Sequence, residues 1–248
     1  MIYSHELKLV FIKGRKVAGT SVEIALSTLC GPTDIVTPIT PIDELERLRL
    51  GGRPRNFDDD PAVEQAWLEV LRSTPVNQLD RLTLPRSRFR NHMPLTRVLS
   101  VLGPIPEDYV VVGVERSPYA KVLSWANNKV AMSRYKIGRA MQSSRWALRR
   151  RLSRMIEDES VLAVHNLARY RDHEGRLGVR LMRHETLGED FRRVLKSRGV
   201  AAPPPLPHAK MGLSATGEGP RDLLTPKQID QINTLFADEF EAYGYPRL

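Results

Sequence analysis

The sequence predicts an α/β protein: a single domain, residues 1–248, with a central, mainly parallel sheet flanked by helices. Three observations predict it. Short apolar runs at 7–12, 109–114 and 179–182 alternate with stretches whose apolar residues recur every three to four positions. Turns bearing Gly and Pro separate the two kinds of segment. The chain has 248 residues, 41% of them hydrophobic, which is enough for one sizeable core.

Each element has its own warrant. Residues 7–12 (Leu-Lys-Leu-Val-Phe-Ile) read as a buried strand. A glycine-bearing loop follows, and residues 21–29 place Val22, Ile24, Ala25, Leu26 and Leu29 on a helical period. Gly31 and Pro32 are expected to close that helix. Residues 32–60 are rich in Pro, Gly and Asp around a short helix at 42–50, and 62–72 is expected to be helical. Residues 95–102 read as another short helix, ended by Gly103 and Pro104. Tyr109-Val-Val-Val-Gly-Val114 is the clearest buried strand, and a helix from Pro118 is expected to run through Lys129. Val179-Arg-Leu-Met182 is a third strand, followed by a helix over 188–197 and a proline-rich loop over 201–207. Thr225 and Pro226 open the last helix as N-cap and first helical residue, with its end expected near Ala242 and Gly244. Strands alternating with helices in this way imply parallel pairing.

Charge narrows the partners. The 38 Lys and Arg outnumber the 29 Asp and Glu, a formal net charge of +9, which favours anions: phosphorylated cofactors, acidic polysaccharide, nucleic acid or a membrane surface. Cys30 is the one cysteine, so neither an intramolecular disulfide nor a cysteine-based zinc site can form. No run approaches the roughly 18 apolar residues of a membrane helix. The first residues lack the basic segment and apolar stretch of a signal peptide. A soluble, cytoplasmic protein without stable membrane insertion is expected.

Two segments carry chemistry. The first is Gly14-Arg-Lys-Val-Ala-Gly-Thr-Ser21, between the first strand and the first helix. Gly14 and Gly19 have phosphate-loop spacing, and a loop at a helix N-terminus turns backbone N–H groups toward an anion. A nucleoside triphosphatase would place Lys directly after the second Gly; here Thr20 stands there, and the lysine, Lys16, lies inside the loop. Lys16 can meet charge developing on a bridging oxygen, and the Thr20 and Ser21 hydroxyls can bond the phosphate. Glycines at this spacing also occur in ordinary basic turns. The second segment is Arg116-Ser-Pro-Tyr-Ala-Lys-Val-Leu-Ser124. Arg116 stands at the carboxyl end of a strand, where α/β sheets bind ligands, and Ser124 lies eight residues on. A guanidinium recognises phosphate through a bidentate fork. Taken alone, the same arginine could be a surface ion-pair partner.

Together the two segments resemble PAPS-dependent sulfotransferases, of the carbohydrate branch. Lys16, Ala18, Gly19, Thr20 and Ser21 match that family's 5′-phosphosulfate loop, commonly Pro-Lys-Thr-Ala-Gly-Thr-Ser, with Arg15 in place of Pro. Arg116, Pro118, Tyr119 and Ser124 match its 3′-phosphate segment, commonly Arg-Asp-Pro-Tyr-x-Arg-x-x-Ser, with Ser117 for Asp and Lys121 for the second Arg. The resemblance covers segments near 7–29, 88–130 and 179–246. It implies a P-loop-like fold and a sulfuryl transfer from PAPS to an acceptor hydroxyl, leaving PAP and needing no metal. It implies an acceptor that is a carbohydrate, glycoconjugate or glycolipid. The cofactor residues it implies are Arg15, Lys16, Val17, Ala18, Gly19, Thr20, Ser21, Arg116 and Ser124, with Lys210 in a loop that often closes over the nucleotide. Lys16 would also act in catalysis.

His92, in Arg90-Asn-His-Met-Pro94, resembles the family's His-x-Pro segment and is the candidate general base. Glu23, Glu64 and the run 58–60 are carboxylate alternatives that spacing does not rank. Residues 32–87 and 131–178 lie outside the resemblance and are expected to form the acceptor side. The arginine-rich stretch 134–154 reads equally as a groove for an acidic or sugar acceptor and as a solvated basic face. Two other functions remain open. A nucleotide-dependent kinase would use the same loop, against the missing Lys after Gly19. A basic nucleic-acid-binding module would suit the charge, but aromatics are only 6% and no stacking platform is visible, so no nucleic-acid partner is expected.

Overall fold

The computed structural model describes residues 1–55, 60–136, 145–207 and 219–248. Its sheet has five strands: β1 (Ile2–Ser4), β2 (Leu9–Phe11), β3 (Ile35–Val36), β4 (Val110–Glu115) and β5 (Arg180–Arg183), in the order β3-β1-β2-β4-β5. The helices begin with α1 (Gly19–Ser27), α2 (Pro41–Arg49), α3 (Pro61–Ser73), α4 (Leu95–Leu102), α5 (Pro118–Lys136) and α6 (Arg145–Glu157). They continue with α7 (Leu167–Tyr170), α8 (Leu187–Ser197), α9 (Pro220–Leu223), α10 (Pro226–Leu235) and α11 (Ala237–Tyr243). The chain is an α/β fold built on a mixed sheet.

The expected parallel pairing holds at the centre of the sheet, and the sheet as a whole is mixed. β2 and β4 pair in parallel, with Leu9 opposite Val110 and Phe11 opposite Val112. β1 pairs antiparallel with both β2 and β3. The cause is connection length: residues 5–8 alone join β1 to β2, with Lys8 left-handed at φ 47°, and so short a link can only reverse the chain. β1 and β3 are too short to leave a period in the sequence; pairing and burial make them strands.

By its internal contacts the chain divides into two compact units. The first comprises residues 1–14, 18–114 and 169–209; the second comprises 15–17, 115–168 and 210–248.

In the first unit the sheet core is apolar and mostly aliphatic. Leu9, Val10, Phe11, Ile12, Val112 and Val114 are fully buried, as are Val22 and Ile24 of α1. Each such side chain contributes roughly 1.5–3 kcal/mol on leaving water. Gly113 lets this layer close: a Cβ there would stand 2.9 Å from the Tyr170 ring, whose hydroxyl donates to the Val114 carbonyl at 2.7 Å. A smaller cluster of Trp67, Leu71 and Leu79 packs with Leu45 and Leu48 of α2.

The second unit is helical. α5 packs on α6, and α10 packs on both. α5 continues to Lys136, seven residues past the expected end at Lys129, because no Gly or Pro interrupts it. Thr225 does cap α10: its hydroxyl accepts from the Gln228 N–H at 3.3 Å, and the Gln228 side chain accepts from the Thr225 N–H at 3.0 Å. The single helix expected as far as Ala242 is instead broken at Phe236 (φ −116°, ψ 22°), whose ring is fully buried. α1 likewise stops earlier than Gly31, at Ser27, with Thr28 as its C-cap. No helix among the described residues is long and apolar enough to cross a membrane.

Candidate functional site

The segment 14–21 runs from β2 into α1, as the sequence requires of an anion loop. Its left-handed residues are Lys16 (φ 60°) and Ala18 (φ 62°), not its glycines. A non-glycine residue in that region costs of order 1 kcal/mol or more, and such strain concentrates where function needs it. Alternating handedness points successive N–H groups to one side of the chain, which is how anion nests form. Ala18 occupies the N-cap of α1 with no side-chain cap, and the first turn holds no acidic residue. The Ser21 and Val22 N–H groups return to the Ala18 carbonyl at 3.1 and 3.4 Å. Among the described residues, none accepts from the N–H groups of Ala18, Gly19 or Thr20. These donors carry the positive end of the α1 dipole, worth about half a charge.

Gly19 is needed for space rather than for φ. A Cβ there would lie 2.7 Å from Cγ of Lys13, and Lys13 cannot step aside. Lys13 is 2% exposed, and its ammonium is held by Glu23 of α1 at 2.6 Å. Glu23 also accepts from the Met1 amine, which bonds Thr37 at 2.8 Å. Burial alone would raise the Glu23 carboxyl; Lys13 and the Met1 amine instead hold it well below the usual carboxylate range. Glu23 is thus fixed as an ion-pair partner, which makes it a poor proton acceptor. Glu64 is engaged too, with Arg53 at 3.3 Å, and Asp60 accepts from the Ala62 N–H at the start of α3. Residues 58 and 59 lie outside the described residues.

His92 sits beside the same lysine. Its Nδ1 lies 3.3 Å from the Lys13 carbonyl, which can only accept, so the proton of the neutral ring belongs on Nδ1 and the lone pair on Nε2. His92 is left-handed (φ 60°), and its carbonyl is held by the Arg169 guanidinium at 2.7 Å. Burial, with the Lys13 charge second, pushes the imidazole down to about 3. The ring is therefore neutral throughout the physiological range.

In the second unit, Asn166 grips Arg15. Its fully buried side chain accepts from the Arg15 N–H at 2.8 Å and donates to the Arg15 carbonyl at 3.1 Å. The Arg15 guanidinium donates to the Ala163 carbonyl at 3.2 Å. Asn166 rests in turn on a buried charge cluster. Its side chain donates to Glu115 at 3.3 Å and its N–H donates to Glu239. Lys121, 0% exposed, lies between those two carboxylates, 2.7 Å from Glu115. Burial raises the Glu115 carboxyl to about 7 against the pull of Lys121, and the Glu239 charge adds to the rise.

Arg116 follows β4 half-buried, its N–H donating to the Glu115 carboxylate at 2.8 Å. Ser124 is half-buried on α5. Tyr119 is buried against Phe240, ring centroids 5.1 Å apart, and its hydroxyl donates to Asn233. Val17 is fully buried, Ser21 nearly so, and Lys16 and Thr20 are half-buried. Lys210 lies outside the described residues.

Lys13, Asn166 and Arg169 were not singled out from the sequence. Lys13 stood in plain view beside the loop, but its partner is ten residues away on α1. The Asn166 bond to Arg15 spans 151 positions, and no local period records it. Among the described residues, no three His, Cys, Asp or Glu side chains are grouped to hold a metal ion. In comparison with protein-family models, curated proteins and solved structures, the chain matches none.

Proposed function

We propose that this protein is a PAPS-dependent sulfotransferase of P-loop-like fold, acting on an acceptor hydroxyl of a carbohydrate or glycoconjugate. One observation carries the reading: segment 14–21 enters α1 with Lys16 and Ala18 left-handed and the helix N-terminus uncapped, while its lysine lies inside the loop. Arg116 and Ser124 supply the residue types that a 3′-phosphate needs.

In the proposed reaction the acceptor oxygen attacks sulfur in line with the leaving oxygen. The new O–S bond forms as the S–O bond to the 5′-phosphate breaks, and PAP leaves. Lys16 and the α1 N–H groups neutralise charge on the departing phosphate. His92 takes the hydroxyl proton on Nε2. Its depressed basicity belongs to the cofactor-free protein; the negative charge of PAPS opposes that of Lys13 and raises it.

The test is binding of PAP. Saturating PAP should raise the melting temperature by mass action, by about 2.7 kcal/mol of stability at a concentration of 100 Kd, and give a measurable heat in calorimetry. Neither a shift nor a heat would sink the reading. ATP with magnesium binding more tightly than PAP would make the protein a kinase instead.

A further inference from the structure

We infer that the first unit carries a groove for an anionic saccharide, formed by the segment 84–97 that leads into His92. The inference rests on the sulfotransferase reading and names the acceptor class of that same site. Two clefts, of about 830 and about 400 Å³, share Ser87, Arg88, Arg90 and Asn91 in their walls. Both volumes suit a small-ligand site. The larger cleft has an apolar floor that includes Pro38, Leu84 and Pro85, and the smaller one reaches His92 and Arg97. A groove thus runs along the segment to the candidate base.

Its electrostatics have one sign. Arg86, Arg88, Arg90 and Arg97 line the clefts with exposed side chains, and no Asp or Glu lines either. Among the described residues, no carboxylate pairs with Arg86, Arg90 or Arg97. Guanidinium forks at intervals along a groove fit carboxylates or sulfates repeated along a chain. Asn91 adds an independent sign. It lines both clefts, and its side-chain amide is of a type that bonds sugar hydroxyls. A nucleic acid would need a face on which bases stack, and Phe89, the aromatic of this segment, is 1% exposed. The groove therefore selects an acceptor whose hydroxyl lies on an acidic sugar chain.

Calorimetry tests this, with and without PAP, using a hyaluronan hexasaccharide and a polyguluronate hexamer as anionic probes and maltohexaose as the neutral one. An anionic probe should bind at least ~10-fold more tightly than maltohexaose and weaken as salt rises. Arg90→Ala and Arg97→Ala should each weaken that binding by ~10-fold, as loss of a charge-assisted bond implies, with melting temperature and PAP affinity unchanged. Equal binding of charged and neutral probes, or unaltered affinity in the double variant, would overturn the groove. So would displacement of the anionic probes by a single-stranded oligothymidylate at lower concentration, which would make it a nucleic-acid surface. Anionic-probe binding that survives where PAP gives no heat would defeat the sulfotransferase reading and leave the groove standing.

Discussion

A histidine that stays neutral in acid is what burial beside a lysine produces. In the cofactor-free protein His92 is held near 3 by burial and by Lys13, so kcat/KM for PAPS, which reports the free protein, should persist well below the pH of about 6.5 at which an ordinary imidazole base is lost. A kcat/KM profile that fell with a midpoint near 6.5 would show that the base lies elsewhere. The same shift has a consequence for stability. Its folded pKa lies below its unfolded one, so the contribution of His92 is complete above about 6.5 and declines as pH falls from there toward about 3. His92→Ala should remove this slope from acid denaturation and lower turnover by roughly 10²–10⁴-fold, with PAP affinity near wild type. Wild-type turnover in that variant would remove His92 from the mechanism. These properties follow from contacts between residues 79 positions apart, so the motif around His92 identifies the candidate without disclosing its charge state.

At the scale of elements, the uncapped N-terminus of α1 and the grip of Asn166 on Arg15 define the loop. Asn166→Ala would leave the half-buried Arg15 N–H and carbonyl unpaired, at a cost of about 1 kcal/mol for a lost partner. Freed of this clasp, the loop should bind PAP more weakly, as calorimetry would show. A control separates that effect from general destabilisation. Thr225→Ala removes the cap of α10 and should cost ~1 kcal/mol in denaturant unfolding while leaving PAP affinity alone. Equal losses of PAP affinity in the two variants would mean that Asn166 acts only through stability. The Thr225 cap was legible because capping is local: Thr followed by Pro states it outright. The loop's strand-to-helix context was legible for the same reason. Its left-handed residues were not, since nothing in Lys16 or Ala18 favours that region.

Across the whole molecule, the cluster of Glu115, Lys121 and Glu239 places three charges away from water. Glu115 has a folded pKa near 7, above its unfolded value of about 4.5. Its contribution is therefore complete below about 4.5 and is lost as pH rises through about 7. Glu115→Gln should remove this loss, so the stability of the variant relative to the unchanged protein should rise between about pH 4.5 and 7, as denaturant unfolding at a series of pH values measures. A difference that stays constant over that range would contradict the assignment. Lys121→Met should cost about 3–5 kcal/mol, because it leaves two carboxylates buried without their cation. The sequence showed Lys121 as a departure from a phosphate motif and gave no hint of this role, whose partners Glu115 and Glu239 are 124 positions apart.

What the sequence determined by itself is whatever is encoded within a few residues. That includes the α/β class, the strand at 109–114, the helix at 95–102, the loop between strand and helix, and the excess of positive charge. Only the tertiary structure decided the rest. The sheet is mixed because a link over 5–8 turns β1 back on β2, and β1 and β3 are strands only because neighbours complete their hydrogen bonds. Glu23 is an ion-pair anchor, Arg15 is held by Asn166, and His92 is neutral, because burial and distant partners set those states. Periodicity and capping act along the chain, whereas desolvation and charge pairing act through space, and a sequence records only the first directly.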